Sequence, residues 1–278
     1  MTIRGTTALV AHLGFPTDAF VSPLIYNPYF EQAGIDAVLV PMGCRPEHLS
    51  GCLAAVFRLT NIRGALITMP HKVTTVALLD EASPAVRIAG SCNAVRRAAD
   101  GRLQGDLFDG EGFVRALRAK GCRLERARAL VAGAGGVGSA IIASLAAAGA
   151  KSITVCDPRA EAVRALADRL ATHYPDVVLA IGDGDPAACD IVVNATPLGM
   201  SGSDPMPIDV ARIAPGAFVG DVVMTGGTTP FLTAAQARGC RVQPGIDMLF
   251  EQIPLYLEFF GFPTTTPEHL REIAKRAL

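Results

Sequence analysis

The feature that most constrains the fold of this chain is the glycine-rich stretch at residues 133–138, which reads GAGGVG. The apolar run 129–132 directly before it predicts a short β-strand. The run 139–148 directly after it predicts a helix that ends at Gly149. A strand, a glycine turn and a helix in this order predict a dinucleotide-binding unit, whereas the glycine pattern alone is a weak signal.

Each glycine of this stretch has a separate task in such a unit. Gly133 allows the tight turn, Gly135 lets the backbone approach a pyrophosphate, and Gly138 lets the helix pack close to the strand. The N-terminus of the helix offers N–H groups and the positive end of its dipole to the phosphates. Because the stretch lies in the middle of the chain, the residues before it are expected to serve another purpose than cofactor binding.

The residues before the glycine stretch alternate between strand and helix patterns. The predicted strands are 6–13, 37–41 and 64–68, and the predicted helices are 23–33 and 46–59. Such α/β repeats predict a mostly parallel sheet with helices on its faces. Asp100 and Gly101 lie between the segments 94–97 and 102–106 and predict a β-hairpin at one edge of that sheet. The segment 111–120 predicts a helix that leads into a second domain.

The residues after the glycine stretch continue the alternation. The predicted strands are 152–157, 190–194, 217–223 and 240–243, and the predicted helices are 161–174 and 229–238. This pattern predicts a doubly wound Rossmann-type sheet. The apolar helix predicted at 247–260 needs a partner surface, so we expect it to return to the first domain together with a helix at 267–277. The fold class is therefore α/β, with one domain formed by 1–109 and 245–278 and a dinucleotide-binding domain formed by 110–244.

Composition excludes several classes of protein. The 278 residues carry a formal net charge of −1 and no run of basic residues, which argues against a nucleic-acid partner. No uninterrupted apolar stretch is long enough for a membrane span, and the N-terminus lacks the pattern of a signal peptide. The 7 cysteines are odd in number and form no C-x-x-C pair. We therefore expect a cytoplasmic protein with reduced thiols, no metal site and a monomeric or homodimeric state.

The end of the strand after the glycine stretch bears on the cofactor. Asp157 follows Gly138 by 19 residues. A carboxylate there accepts hydrogen bonds from the adenosine ribose and repels a 2′-phosphate, which favours NAD. Arg159 keeps NADP possible, because a guanidinium binds phosphate well. An aspartate at the end of a strand can also simply cap the following turn.

Candidates for chemistry lie in three short segments of the first domain. Lys72 closes the run TMPHK at the end of a predicted strand, where parallel α/β proteins bind ligands. Asn93 lies in GSCNA, and Asp109 lies in GDLFDG. Taken singly, each has an ordinary explanation: a solvated lysine, a turn residue and a helix cap.

Taken together and in this order, these residues and the glycine stretch resemble the shikimate/quinate dehydrogenase family. The resemblance extends over nearly the whole chain. Its most specific parts are the run NATPLGM at 194–200 and the segment GIDMLFEQ at 245–252. The start SPLIYN at 22–27 is similar to the family's first helix.

The resemblance implies a reversible hydride transfer between NAD, or possibly NADP, and a ring hydroxyl of a small cyclic hydroxy acid. It implies that Lys72 and Asp109 form the catalytic pair, since the hydroxyl proton must be taken up when the hydride leaves. Four residues are implied to bind the substrate, with Ser22 at its carboxylate: Ser22, Thr68, Asn93 and Gln252. The implied and predicted cofactor-binding residues are Gly133, Gly135, Gly136, Val137, Gly138, Asp157, Arg159, Thr196, Pro197, Met200, Val222, Gly245 and Met248.

The chain departs from the family's pattern around the substrate. A second serine, usual two positions before Ser22, is replaced by Phe20. The other departures are Leu107, Phe108, His71, Met224 and Gly226. A lost donor to a buried carboxylate costs about 1.5–3 kcal/mol, so we expect a substrate specificity that differs from shikimate. Three alternatives remain: a biosynthetic NADP-dependent shikimate dehydrogenase, a ligand sensor without catalysis, and a folate-type dehydrogenase on the same two-domain plan.

Overall fold

The computed structural model describes residues 2–18, 20–224 and 227–275. Strands and helices alternate along the chain and form two sheets with accompanying helices. The chain divides into two compact units. The first comprises Met1–Val86, Gly90–Phe108 and Ile253–Leu278, and the second comprises Arg87–Ala89 and Asp109–Gln252. Each unit contains one six-stranded sheet. The α/β fold class predicted from the sequence is confirmed.

The first unit is built on a mostly parallel sheet with an antiparallel hairpin. Its strands are β1 Ala8–Gly14, β2 Ala37–Gly43, β3 Ile62–Ile67, β4 Glu81–Ala82, β5 Ala94–Arg97 and β6 Leu103–Asp106. Its sheet order is β2-β1-β3-β5-β6-β4. The strands β5 and β6 pair antiparallel, with Gly101 at φ +92° in the turn, so the predicted hairpin is confirmed. Its predicted place at the edge is wrong, because the short strand β4 pairs with β6 and forms the edge.

Three helices in the first part of the chain accompany the strands of this sheet. They are α1 Pro23–Gln32, α2 Leu49–Val56 and α3 Pro84–Ala89. The predicted helix 46–59 is a short 3₁₀ turn followed by α2, and α3 was not expected although Ser83 caps it and Gly90 ends it with φ +67°.

The second unit contains an entirely parallel sheet. Its strands are β7 Arg128–Ala132, β8 Ser152–Cys156, β9 Val178–Ile181, β10 Ile191–Asn194, β11 Phe218–Asp221 and β12 Arg241–Gln243. The order β12-β11-β10-β7-β8-β9 is that of a doubly wound sheet, as predicted. The edge strand β9 was not expected, because three of its four residues are exposed and leave no buried apolar pattern.

The helices of the second half of the chain cover this sheet and then continue into the first unit. They are α4 Asp109–Ala119, α5 Gly136–Ala147, α6 Ala160–His173, α7 Pro230–Ala237, α8 Gly245–Phe259 and α9 Pro267–Ala274. The division between the units falls within α8, between Gln252 and Ile253. In the first unit the rings of Phe30 and Phe262 lie 5.1 Å apart, and the Tyr29 hydroxyl donates to the Pro263 carbonyl. This packing accounts for the apolar character of the C-terminal segment.

Candidate active site

Backbone hydrogen bonds bring three predicted substrate residues to one edge of the first sheet. The strands β1 and β3 run parallel, and Thr68, directly after β3, donates its N–H to Leu13 at 2.9 Å. The antiparallel strand β5 starts at the same edge, where the Ile67 N–H donates to the Asn93 carbonyl. The Cys92 N–H donates to the Lys72 carbonyl at 2.8 Å. Thr68, Lys72 and Asn93 are therefore neighbours at the carboxyl edge of β3.

Of the two polar atoms of the Asn93 side chain, one forms a hydrogen bond within the protein and the other does not. Its Oδ1 accepts the Phe108 N–H at 2.9 Å, which fixes the backbone directly before Asp109. Its Nδ2 is buried and has no hydrogen-bond partner. Buried polar atoms are normally satisfied, so an unpartnered one calls for a partner outside the protein chain.

Lys72 and its neighbour His71 have different surroundings. The His71 ring is buried and forms a 2.7 Å contact between Nε2 and the Cys44 carbonyl, so it fastens the loop after β3 to the end of β2. The Lys72 charge acts on two nearby groups. It contributes to a lowered pKa of His12, and it opposes the burial that raises the pKa of the Cys92 thiol to about 12.

His12 is a polar residue of this edge that the sequence analysis did not single out. It lies in β1 with only 6% of its surface exposed, and its Nδ1 has no hydrogen-bond partner. Its ring stacks on Phe20 with the centroids 4.0 Å apart and the planes at 24°. Burial, with a smaller effect of Lys72, lowers the pKa of His12 to about 4. A histidine inside an apolar strand matches no motif, so the sequence alone does not indicate that His12 belongs to the site.

Three further residues of the first unit, Ser22, Phe20 and Phe108, have different surroundings. The edge that carries His12, Thr68, Lys72 and Asn93 is named the substrate edge. Ser22 is buried and directly precedes α1, where its carbonyl accepts the N–H groups of Ile25 and Tyr26. The ring of Phe108 packs edge-on against Tyr256 and also contacts Phe259. Of the departures from the family pattern, Phe108 is thus part of the core of this unit, whereas Phe20 contacts a polar residue of the substrate edge.

In the second unit the glycine stretch has the local structure that the sequence predicts. Gly133 has φ +96°, which favours glycine, and a Cβ there would lie 2.8 Å from the Ala195 carbonyl oxygen. A Cβ on Gly138 would overlap the Gly133 carbonyl, whereas one on Gly135 would meet no atom within 4 Å. The start of α5 can therefore pack against the Gly133 carbonyl only because residue 138 is a glycine, whereas open space lies next to Gly135. Such a loop fits a dinucleotide pyrophosphate, and Gly136 and Val137 form the first turn of α5.

Asp157 is nearly buried and fully engaged. Its side chain is 4% exposed, and its Oδ2 accepts the Ala134 N–H at 2.7 Å. Arg159, 62% exposed, donates from Nε at 3.0 Å and from Nη2 at 2.9 Å. These guanidinium bonds first, and the Ala134 N–H next, hold the pKa of Asp157 well below its usual range. Asp157 thus remains a carboxylate, and it also steadies the glycine loop.

A buried pair at the ends of β10 and β11 shapes the loops predicted to lie near the nicotinamide. The Asn194 Nδ2 donates to Asp221 Oδ1 at 3.0 Å and to the Leu198 carbonyl. Asn194 Oδ1 accepts both the N–H and the hydroxyl of Thr196. Asp221 also accepts from the Val223 N–H and from the Thr229 hydroxyl. Burial raises the pKa of Asp221. Asn194 and Asp221 were not predicted as site residues, although each is the last residue of its strand.

The other predicted residues of the second unit lie along these loops and helices α4 and α8. Met200 is exposed, whereas Met248 is buried in the main core of the unit. Gly245 is held close to the Val222 carbonyl, where a Cβ would lie at 2.6 Å. Pro197 follows Thr196 in the loop after β10.

Asp109 and Gln252 close the set of predicted residues. Asp109 is the first residue of α4 and is 4% exposed. Gln252 lies on α8 beside Gly112, with its Oε1 buried and without a hydrogen-bond partner. Met224 is 54% exposed, and Gly226 lies outside the described residues.

Within residues 2–18, 20–224 and 227–275, no cluster of three or more His, Cys, Asp or Glu side chains is suited to hold a metal ion. Among the same residues, no helix has the length and apolar character needed to cross a membrane.

Comparison with known proteins points to one family. The family model of the shikimate dehydrogenase substrate binding domain matches residues 13–95, and that of the ThiF family matches residues 114–160. The shikimate dehydrogenase (NADP(+)) of Acidiphilium cryptum is 36% identical over 263 residues, covering 94% of this chain and 93% of that protein.

Solved structures agree with this comparison over almost the full length. The crystal structure of shikimate 5-dehydrogenase from Listeria monocytogenes, in complex with shikimate and NAD, has a TM-score of 0.91 at 26% identity and covers 98% of each chain. Quinate dehydrogenase from Corynebacterium glutamicum, in complex with NAD, has a TM-score of 0.85 at 29% identity and covers 97% of this chain and 99% of that one.

Proposed function

This chain belongs to the shikimate dehydrogenase family, and we propose that it transfers hydride reversibly between a nicotinamide dinucleotide and a ring hydroxyl of a cyclic hydroxy acid or a close derivative. It is an NAD(P)-dependent oxidoreductase that acts on CH–OH groups. The observation that carries the proposal is the meeting of Thr68, Lys72 and Asn93 at one sheet edge, with Asn93 Nδ2 buried and unpartnered. Residues 1–109 with 245–278 form the substrate domain, and residues 110–244 form the dinucleotide domain.

Lys72 and Asp109 handle the proton in this proposal. When the substrate is oxidised, hydride leaves the carbon and the hydroxyl proton passes to Lys72 Nζ. The Asp109 carboxylate orients that amine and relays the proton. A positioned acid or base of this kind contributes about 10²–10⁴ in rate. Reduction of a ketone uses the same groups in reverse, since Lys72 then returns the proton to the oxygen.

The substrate is held by hydroxyl and amide side chains. Asn93, Thr68 and Gln252 hydrogen-bond its ring hydroxyls, and Ser22 contacts its carboxylate or the group in that position. The unpartnered Nδ2 of Asn93 and Oε1 of Gln252 support these roles, because each is a buried polar atom that a hydroxyl would satisfy.

The nicotinamide dinucleotide, when bound, accepts or supplies the hydride. The open space above Gly135 supports pyrophosphate binding by residues 133–138. Thr196, Pro197, Met200, Val222, Gly245 and Met248 surround the nicotinamide end in this proposal. The Asn194–Asp221 pair supports this, since it fixes the two loops that carry Thr196 and Val222.

NAD is the preferred cofactor in this proposal. Asp157 remains ionised and repels a 2′-phosphate, and its two bonds to Arg159 engage the guanidinium that would otherwise bind that phosphate. The names of the curated relatives support NADP instead.

Asp157→Asn keeps an acceptor for the Ala134 N–H while it removes the charge. We expect it to shift the ratio of kcat/KM values by about tenfold toward NADP, and Arg159→Ala to shift it toward NAD. Unchanged ratios in both variants would contradict this choice.

The substrate differs from shikimate in this proposal, because Phe20 replaces a hydroxyl that would help to hold a carboxylate. The deciding experiment measures steady-state kinetics with shikimate and quinate, each with NAD and NADP, by the absorbance of the reduced cofactor. We expect turnover with a high KM for shikimate. A micromolar KM for shikimate with NADP would establish the biosynthetic alternative, and no turnover with any pair would contradict the proposed reaction.

A further inference from the structure

His12 occupies an interior position of the first sheet, where a polar side chain is unusual. It lies in β1 between β2 and β3, opposite Pro41 and Leu66. Its neighbours along the strand, Ala11 and Leu13, are apolar and buried. The ring is buried as well, and its Nδ1 has no hydrogen-bond partner. Such an atom destabilises the fold unless a ligand satisfies it.

The surroundings of His12 belong to the substrate edge. Its ring stacks on Phe20 at 4.0 Å, which fixes the plane in which Nδ1 lies. Gly14 allows Phe20 and Thr68 to approach each other, because a Cβ on Gly14 would overlap the Cγ2 of Thr68 and lie 2.6 Å from the Cζ of Phe20. The charge of Lys72 also reaches the His12 ring. One side of the candidate substrate site therefore consists of an imidazole and a phenyl ring.

The chemistry of this pair favours an uncharged group. A buried carboxylate needs several donors or a counter-charge, whereas a hydroxyl or carbonyl is satisfied by one hydrogen bond. Phe20 offers no donor, and burial keeps the His12 ring neutral at neutral pH, since its pKa is lowered to about 4. A single neutral imidazole nitrogen beside a phenyl ring is thus suited to a hydroxyl, amide or carbonyl oxygen.

We infer that His12 is a specificity-determining residue whose Nδ1 hydrogen-bonds an uncharged polar group of the substrate beside the Phe20 ring. The preferred substrate is then a cyclic hydroxy compound with an amide, carbonyl or hydroxymethyl group where shikimate carries its carboxylate. The inference rests on the proposed function, because it assumes that the substrate binds at the edge formed by Thr68, Lys72 and Asn93.

The test compares shikimate with shikimamide, which differs only in the neutral amide. Kinetics are measured with NAD, and dissociation constants are measured by calorimetry in the presence of NAD. The wild-type protein is expected to favour shikimamide. His12→Leu should lower kcat/KM for shikimamide by about 10- to 100-fold. His12→Asn retains a polar atom near the position of Nδ1 and should recover most of that loss. Phe20→Ser should shift the preference by about tenfold toward shikimate.

Two controls separate a binding role from a structural one. His48→Leu alters an exposed histidine and should change neither substrate preference nor stability. His12→Leu removes an unpartnered buried polar atom, so its thermal midpoint should equal or exceed that of the wild type while its activity falls. A lower midpoint with unchanged substrate preference would overturn the inference.

The outcomes also separate the inference from the proposed function. The wild-type protein could turn over substrate while both His12 variants keep its ratios of kcat/KM and of Kd between shikimamide and shikimate. That result would refute the role of His12 and leave the proposed function intact. No turnover with either compound, with shikimate or quinate, and with either cofactor would refute the proposed function. In that case the Kd values for shikimamide would still decide whether His12 contacts a ligand.

Discussion

Buried polar side chains at the ends of β10 and β11 are satisfied within the protein, whereas two at the edge formed by β1, β3 and β5 are not. At the ends of β10 and β11, Asn194 and Asp221 bond to each other and to the backbone and hydroxyl groups of the following loops. At the ends of β1 and β3 and the start of β5, the Nδ1 of His12 and the Nδ2 of Asn93 are buried without a partner. The side chains of the first arrangement hold the following loops in place, whereas those of the second keep polar atoms that a ligand can hydrogen-bond.

This difference matches the tasks proposed for the two units. A dinucleotide is bound largely by backbone N–H groups, so its site needs loops of fixed shape, and side chains serve by holding those loops. A small polyhydroxy ring must be recognised by side-chain atoms directly, so these must remain unsatisfied in the protein alone. Substitutions of the loop-holding pair Asn194 and Asp221 should therefore lower stability, whereas substitutions at the first edge should lower activity.

Lys72→Ala should give the largest effect at the first edge. We expect kcat to fall by about 10²–10⁴, because the hydroxyl proton loses its positioned acceptor. The Kd of NAD, measured by calorimetry, should remain within about twofold, and the thermal midpoint should be unchanged. Lys151→Ala, at an exposed lysine, is the matched control. If activity survives in Lys72→Ala, the catalytic pair is assigned to the wrong residues.

Asp221→Ala should give the largest loss of stability in the second unit. It leaves the Asn194 amide, the Val223 N–H and the Thr229 hydroxyl without their buried acceptor, and unsatisfied buried groups cost about 1–3 kcal/mol each. Urea unfolding should show a loss of about 3 kcal/mol or more. Asp221→Asn keeps one acceptor oxygen and should lose less, and Asp176→Ala, at an exposed site, should lose almost nothing. Equal losses in the Asn and Ala variants would contradict the role of these bonds.

His12 should make the stability of the protein depend on pH. Burial, and then Lys72, lowers its pKa in the folded chain to about 4, whereas an unfolded histidine has a pKa of about 6.5. Between these values the unfolded chain binds a proton that the folded chain does not. The free energy of unfolding therefore falls as the pH drops from about 6.5 to about 4, by about 3 kcal/mol for this group. His12→Leu should lose this part of the acid dependence, and parallel stability curves for the two proteins would contradict it.

The sequence predicted those parts of the molecule that depend on local patterns. The turn at Gly133 and the helix after it follow from a few adjacent residues, and the hairpin at Gly101 follows from its turn signal. The doubly wound character of the second sheet follows from the alternation of strands and helices. The edge strand β9 was missed, because an edge strand buries too little to leave a pattern.

The polar pairs could not be predicted in the same way. Asn194 meets Asp221 across 27 residues of sequence, and Thr68 and Phe20 approach each other at Gly14 only after β1 and β3 have paired. Asp157 was predicted at the right strand end, but its engagement by the Ala134 N–H depends on the neighbouring strand. Sequence patterns locate an edge, whereas the pairing of strands decides which polar atoms at that edge are satisfied.

Gly135 and Gly138 allow the same contrast to be tested within a single loop. A Cβ on Gly138 would overlap the Gly133 carbonyl, whereas a Cβ on Gly135 would meet no protein atom within 4 Å. Gly135 has φ −73°, which alanine adopts without strain. Gly138→Ala should therefore lower both the thermal midpoint and the affinity for the dinucleotide. Gly135→Ala should leave the midpoint unchanged and raise the Kd of NAD by about tenfold, because the methyl group would occupy the place of the pyrophosphate.

Gly202→Ala, in a turn where a Cβ also meets no atom within 4 Å, is the control and should alter neither quantity. Calorimetric titration with NAD and thermal unfolding of the same samples give both readouts. An unchanged Kd in Gly135→Ala would mean that the pyrophosphate does not lie over this glycine. A lowered midpoint in Gly135→Ala without NAD would mean that this glycine supports the fold of the loop itself, and the contrast with Gly138 would then be lost.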